Sequence, residues 1–149
     1  MKLLNHFYTT VDAFKDFIDL ENIPQNNNVL VQLFFSGTDE AKVRSTLLEI
    51  QNTLPNIPII GTTTAGNIAD GKLHDNAISV SISLFESSTA KTVSYKQQSI
   101  DKILADFKKE ITDSTKLAIL FANTLTFNAS VLLTRLSKTY PRLSVVGGN

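Results

Sequence analysis

Val29-Leu30-Val31-Gln32-Leu33-Phe34-Phe35 is apolar at every position but Gln32 and rich in β-branched and aromatic side chains, as a strand covered on both faces should be. Such a strand needs helices packed against it, which predicts an α/β fold. Ser36-Gly37-Thr38-Asp39 then turns the chain and caps a helix whose apolar positions Val43, Leu47, Ile50 and Leu54 share one stripe. Pro55 helps to stop that helix. Ile57-Pro58-Ile59-Ile60 predicts the next buried strand, with Pro58 at its very beginning or on a sheet edge and Gly61 closing it. Strand, helix, strand and glycine make a βαβ crossover with a parallel pair.

Laid over itself with Val31 on Leu117, the sequence repeats this order. Val31 to Phe35 meets Leu117-Ala118-Ile119-Leu120-Phe121, Leu47 meets Leu133, Pro55 meets Pro141, Ile59-Ile60 meets Val145-Val146, and Gly61 meets Gly147. The second copy stops at Gly147-Gly148-Asn149, so residues 1–149 read as an incomplete piece of a larger domain.

Other elements fall around these copies. Thr9-Thr10-Val11-Asp12 resembles a capping box with Thr9 as N-cap, and Val11, Phe14, Phe17 and Ile18 follow at helical spacing. Pro24 and Asn26-Asn27-Asn28 break that helix. Ile78, Val80, Ile82 and Leu84 alternate with Ser79, Ser81 and Ser83, the period of an amphipathic, antiparallel strand whose serines face solvent or residues outside the chain. Glu86-Ser87-Ser88-Thr89 predicts a turn into a partner strand around Val93 and Tyr95. Ile100, Ile103, Leu104, Phe107 and Ile111 define a further helix with Ser99 as N-cap. The fold class is therefore α/β, with a mixed β-sheet from two repeated βαβ units plus an antiparallel hairpin, and helices packed on the sheet.

Composition narrows the function. The 149 residues hold 14 basic and 14 acidic side chains, with 42% hydrophobic and 19% charged, which excludes general disorder. Without clustered positive charge there is no counterion release to draw the chain onto nucleic acid or anionic lipid. No cysteine is present, which excludes disulfides, thiolate metal sites and cysteine nucleophiles. Met1 to His6 lacks the apolar core of an export signal, and the apolar run Leu117 to Ala122 is far short of the roughly 20 residues of a membrane span. A cytoplasmic protein bound to neither membrane nor nucleic acid is expected.

Gly61-Thr62-Thr63-Thr64-Ala65-Gly66-Asn67 has glycines at phosphate-loop spacing, but Asn67-Ile68 replaces the required Lys and Ser/Thr, and no helix pattern follows. A better reading is a small-residue loop at the carboxyl end of a parallel strand, where open α/β sheets place ligands. The plainer reading is a tight turn that needs glycine. With Asn67-Ile68, Asp70-Gly71 and the strand Ala77 to Leu84, this stretch resembles the FIST (F-box and intracellular signal transduction) sensory domain. Val145-Val146-Gly147-Gly148 is similar to a second motif of that family, and the resemblance covers roughly Val29 to Asn149. Asn67 stands where an acidic residue is common, and Thr62 where Cys is common.

The resemblance implies an N-terminal module sensing a small ligand such as an amino acid, without catalysis. It also implies a C-terminal FIST module and a signalling output domain as partners. The ligand would meet Gly61, Thr62, Thr63, Thr64, Ala65, Gly66 and Asn67, with Ser36, Thr38, Asn123, Thr124, Gly147 and Gly148 on the same rim. No cofactor is expected. The alternative of a haem-based nitric oxide sensor would use His74 as its axial ligand, and an enzyme acting on a small metabolite would draw its general base from Asp70, Asp75 or Glu86. A third alternative is a homodimer formed through an exposed sheet edge.

Overall fold

The computed structural model describes residues 1–69, 71–95, 99–122 and 128–148. The chain divides into two compact units, Met1–Thr92 and Val93–Asn149. In the first, the strands are β1 (Lys2–Tyr8), β2 (Val29–Ser36), β3 (Ile59–Thr64), β4 (Asn67–Ala69), β5 (Lys72–His74) and β6 (Ile78–Leu84), with helices α1 (Val11–Leu20) and α2 (Glu40–Thr53). The second contains α3 (Ile100–Glu110), β7 (Leu117–Phe121), α4 (Ala129–Thr139) and β8 (Ser144–Gly148).

The main sheet of the first unit has the order β1-β6-β2-β3. β2 and β3 are parallel, and β6 runs antiparallel to both β1 and β2. One face carries Val29, Val31, Leu33 and Phe35 from β2 with Ile78, Val80 and Ile82 from β6, and buries them against Phe14 and Ile18 of α1, Ile50 of α2 and Leu54 at the C-cap of α2. Each fully buried side chain of this size contributes about 1.5–3 kcal/mol, which makes this layer the main source of stability. β4 and β5 form a separate antiparallel hairpin.

The mixed α/β class, the parallel pairs and the helices on the sheet match the sequence reading, while three details differ. Val93 and Tyr95 form no strand, so among the described residues the expected hairpin across Glu86 to Thr89 is absent. Its physical reason is that both edges of β6 are already taken, by β1 and β2. The N-cap of α1 is Thr10, whose side chain accepts from the Ala13 amide, rather than Thr9. Finally, Gly61 does not close its strand: β3 continues through Thr64, held by β2 pairing as far as Ser36↔Thr64.

In the second unit β7 and β8 are parallel, and Ile103, Phe107, Leu132 and Leu136 form the buried core between α3 and α4, with Leu120 packed on it. Both βαβ segments share element order but not register. Val31 faces Ile59 in the first, whereas Leu117 faces Ser144 in the second rather than Val145. The slip turns β8 over relative to β7.

Candidate functional site

β1 and β2 run in one direction with β3, so Tyr8, Ser36 and Thr64 end at the same edge of the sheet. The chain is tied there by a buried polar knot. The Ser36 hydroxyl accepts from the Ala77 amide at 3.1 Å and lies 3.0 Å from the Ala77 carbonyl and 3.2 Å from the His74 carbonyl, either of which takes its proton. The Asn67 carboxamide donates to the Phe34 and Ala77 carbonyls and to the Ser36 hydroxyl, at 3.3, 3.0 and 3.2 Å. Both residues are buried, so these bonds satisfy groups that would otherwise be stranded away from water. Their effect is to fasten the roots of the β4–β5 hairpin to the end of β2.

The other expected site residues divide as follows. Gly61, Thr62, Thr63 and Thr64 belong to β3, which reduces the expected loop to Ala65 and Gly66 before Asn67 opens β4. Pairing with Phe34 and Ser36 puts Thr62 and Thr64 on the sheet face that carries Ser36, while Thr63, opposite Phe35, lies on the helix face. The Thr64 hydroxyl donates to the Gly66 carbonyl at 3.1 Å. Thr38 keeps a buried hydroxyl without a hydrogen-bond partner, and Asp39 is the side chain that caps α2. Asn123 and Thr124 lie outside the described residues, as does Asp70. Gly147 and Gly148 lie in β8 of the second unit.

Close strand contact explains two of the glycines. A Cβ on Gly61 would stand 2.9 Å from the Leu33 carbonyl oxygen, and one on Gly147, at φ +150°, would stand 1.8 Å from that of Leu120. In each case the partner strand's backbone occupies the space of a side chain.

Sequence reasoning misses Tyr8, because β1 lacks a plain apolar alternation. Its one signal is Leu4, His6 and Tyr8 at period two. The Tyr8 hydroxyl donates to the Glu49 carboxylate of α2, and burial, the Glu49 bond and the charges of Glu49 and Asp12 push its pKa well above the usual tyrosine range. His6 stacks on Phe17 with ring centroids 4.4 Å apart. Its Nε2 is buried without a partner, and desolvation lowers its pKa.

Among the alternative catalytic residues, Asp75 is exposed, and the Met1 ammonium pairs with Glu86 and holds its carboxyl below the usual range. That shift weakens Glu86 as a base. His74 packs its ring 4.7 Å from that of Phe7. Among the described residues there is no cluster of three or more His, Asp or Glu side chains suited to a metal ion, and no helix is long and apolar enough to cross a membrane.

A family model described as FIST N domain matches residues 29–149. No curated protein and no solved structure gives a match.

Proposed function

The chain belongs to the FIST N domain family, and from that membership we propose that it is a sensory module that binds a small ligand, such as an amino acid, without transforming it. The bound state is passed to an output domain through a C-terminal FIST module, and the protein works in the cytoplasm. The observation that carries this reading is the knot of Ser36 and Asn67 at the carboxyl end of β2, where parallel strands deliver ligand-binding segments. With their polar atoms engaged in the knot, Ser36 and Asn67 hold the rim in place. Ligand contact falls to the hydroxyls of Thr62, Thr63 and Thr64 and the amides of Ala65 and Gly66.

Titration calorimetry of the protein against a panel of amino acids tests the reading. Saturable heat with at least one member is expected, weakened about tenfold by Thr63→Val, the loss of roughly one hydrogen bond. No heat with any member of the panel would overturn it.

A further inference from the structure

The β4–β5 hairpin pairs Asn67 with His74, Ile68 with Leu73 and Ala69 with Lys72. Neighbours along a strand point to opposite faces. Asn67 is buried in the knot at the end of β2, and the His74 ring packs on Phe7, so one face of the hairpin is fastened to the main sheet. Ile68 and Leu73 lie on the other face and are 80% and 66% exposed. Single exposed apolar side chains are ordinary. These two stand directly across from each other, with Cβ atoms about 4.5–5.5 Å apart, and together make one apolar step.

The step adjoins the small-residue turn that follows β3. A Cβ on Gly66 would stand 2.7 Å from Leu73 Cδ1 and 3.3 Å from an Asp75 carboxylate oxygen. Gly66 is therefore the floor between a methyl group and a carboxylate, and its missing side chain lets both come close to the backbone. Asp75 is exposed, and among the described residues no ion pair or hydrogen bond engages its carboxylate.

These neighbours ask for two different things of a ligand. A carboxylate is met best by an ammonium, through charge-assisted hydrogen bonds, whereas the step gains from an aliphatic group that leaves water against it. Both requirements meet over one glycine, within the reach of a single small molecule that carries an ammonium and an apolar arm together. A macromolecular partner fits less well, because a stable protein interface buries roughly 800 Å² per partner and two side chains fall far short of that.

We propose that Gly66, Ile68, Leu73 and Asp75 form the selective part of the ligand site, and that it takes an amino acid with an aliphatic side chain. Asp75 holds the α-ammonium, and the step of Ile68 and Leu73 holds the side chain. The proposal rests on the sensory reading and names the chemistry of its ligand.

L-leucine is the probe, titrated into the full chain by calorimetry, with N-acetyl-leucine as the comparison that lacks the ammonium and glycine as the one that lacks the arm. Saturable heat with leucine is expected, and binding at least about tenfold weaker with either comparison. Asp75→Asn and Leu73→Ser alter exposed side chains, and each, checked for an unchanged circular dichroism spectrum, is expected to weaken leucine binding at least about tenfold. Amide chemical shifts on the unaltered protein read the location without any substitution and should centre on Gly66, Leu73 and Asp75. Leucine binding that either variant leaves untouched, a comparison bound as tightly as leucine, or shifts confined to other segments would each overturn the assignment. Binding of another amino acid of the panel without binding of leucine would also overturn it, while leaving the sensory reading standing; silence from the whole panel would remove both.

Discussion

At Ser36 a single hydroxyl serves the Ala77 amide, the Asn67 carboxamide and a backbone carbonyl at once. Ser36→Ala leaves the Ala77 amide and one Asn67 proton without that acceptor in a buried place, which costs about 1–3 kcal/mol. Urea denaturation should show the midpoint falling with an unchanged slope, and an unshifted midpoint would remove the knot from the account of the fold. His6 makes a prediction about pH. Burial holds its imidazole below the ordinary value of about 6.5, so on acidification the unfolded chain takes up that proton first. The stabilisation is full above about pH 6.5 and is lost as pH falls through the folded value. The rings of Phe14 and Phe17 beside it supply no countercharge to soften the effect. Melting temperature should therefore fall less steeply between about pH 7 and pH 5 in His6→Phe than in the parent; parallel profiles would contradict the assignment.

Along α2 one buried position conflicts with its surroundings. Thr46 is fully buried and its hydroxyl has no hydrogen-bond partner, although its helix packs Ile50 and Leu54 into the main core. Thr46→Val keeps the shape and removes the stranded hydroxyl, so stability should rise by about 1 kcal/mol, read as a higher midpoint in urea; a fall would mean that the hydroxyl has a partner when folded in solution. The same helix shows why elements were legible from sequence. Its stripe of Val43, Leu47, Ile50 and Leu54 and the alternation from Ile78 to Leu84 are local periods, and all of these apolar residues are buried in the main core or packed against it. Partner choice is not local. The alternation of β6 gives an antiparallel strand, but its partners are Lys2–Tyr8 and Val29–Ser36 rather than the segment just after it, because pairing depends on edges that a single segment does not reveal. The candidate site was legible in the same partial way. Of the small residues 61–67, Gly61 to Thr64 extend β3 and Asn67 opens β4, and the engagement of Ser36 with Asn67 joins residues far apart in sequence and has no periodic signature.

The two compact units differ in what holds them. The first buries an extensive core beneath a four-stranded sheet, while the second has Ile103, Phe107, Leu132 and Leu136 beneath a two-stranded parallel sheet. Parallel strands are ordinarily covered on both faces, and a two-stranded sheet is marginal unless packing supports it. Here Leu117 and Val146 remain 51% exposed, so β7 and β8 gain support chiefly from the α3–α4 side. The ion pair of Arg135 with Asp101 joins those helices at 2.7 Å, but exposed pairs add only about 0–1 kcal/mol. Local opening should therefore require less free energy in the second unit than in the first. Hydrogen exchange under native conditions is expected to proceed sooner at Ala118, Ile119 and Val145 than at Val31, Leu33 and Val80. Equal protection in both units would require a support for β7 and β8 beyond their own helices.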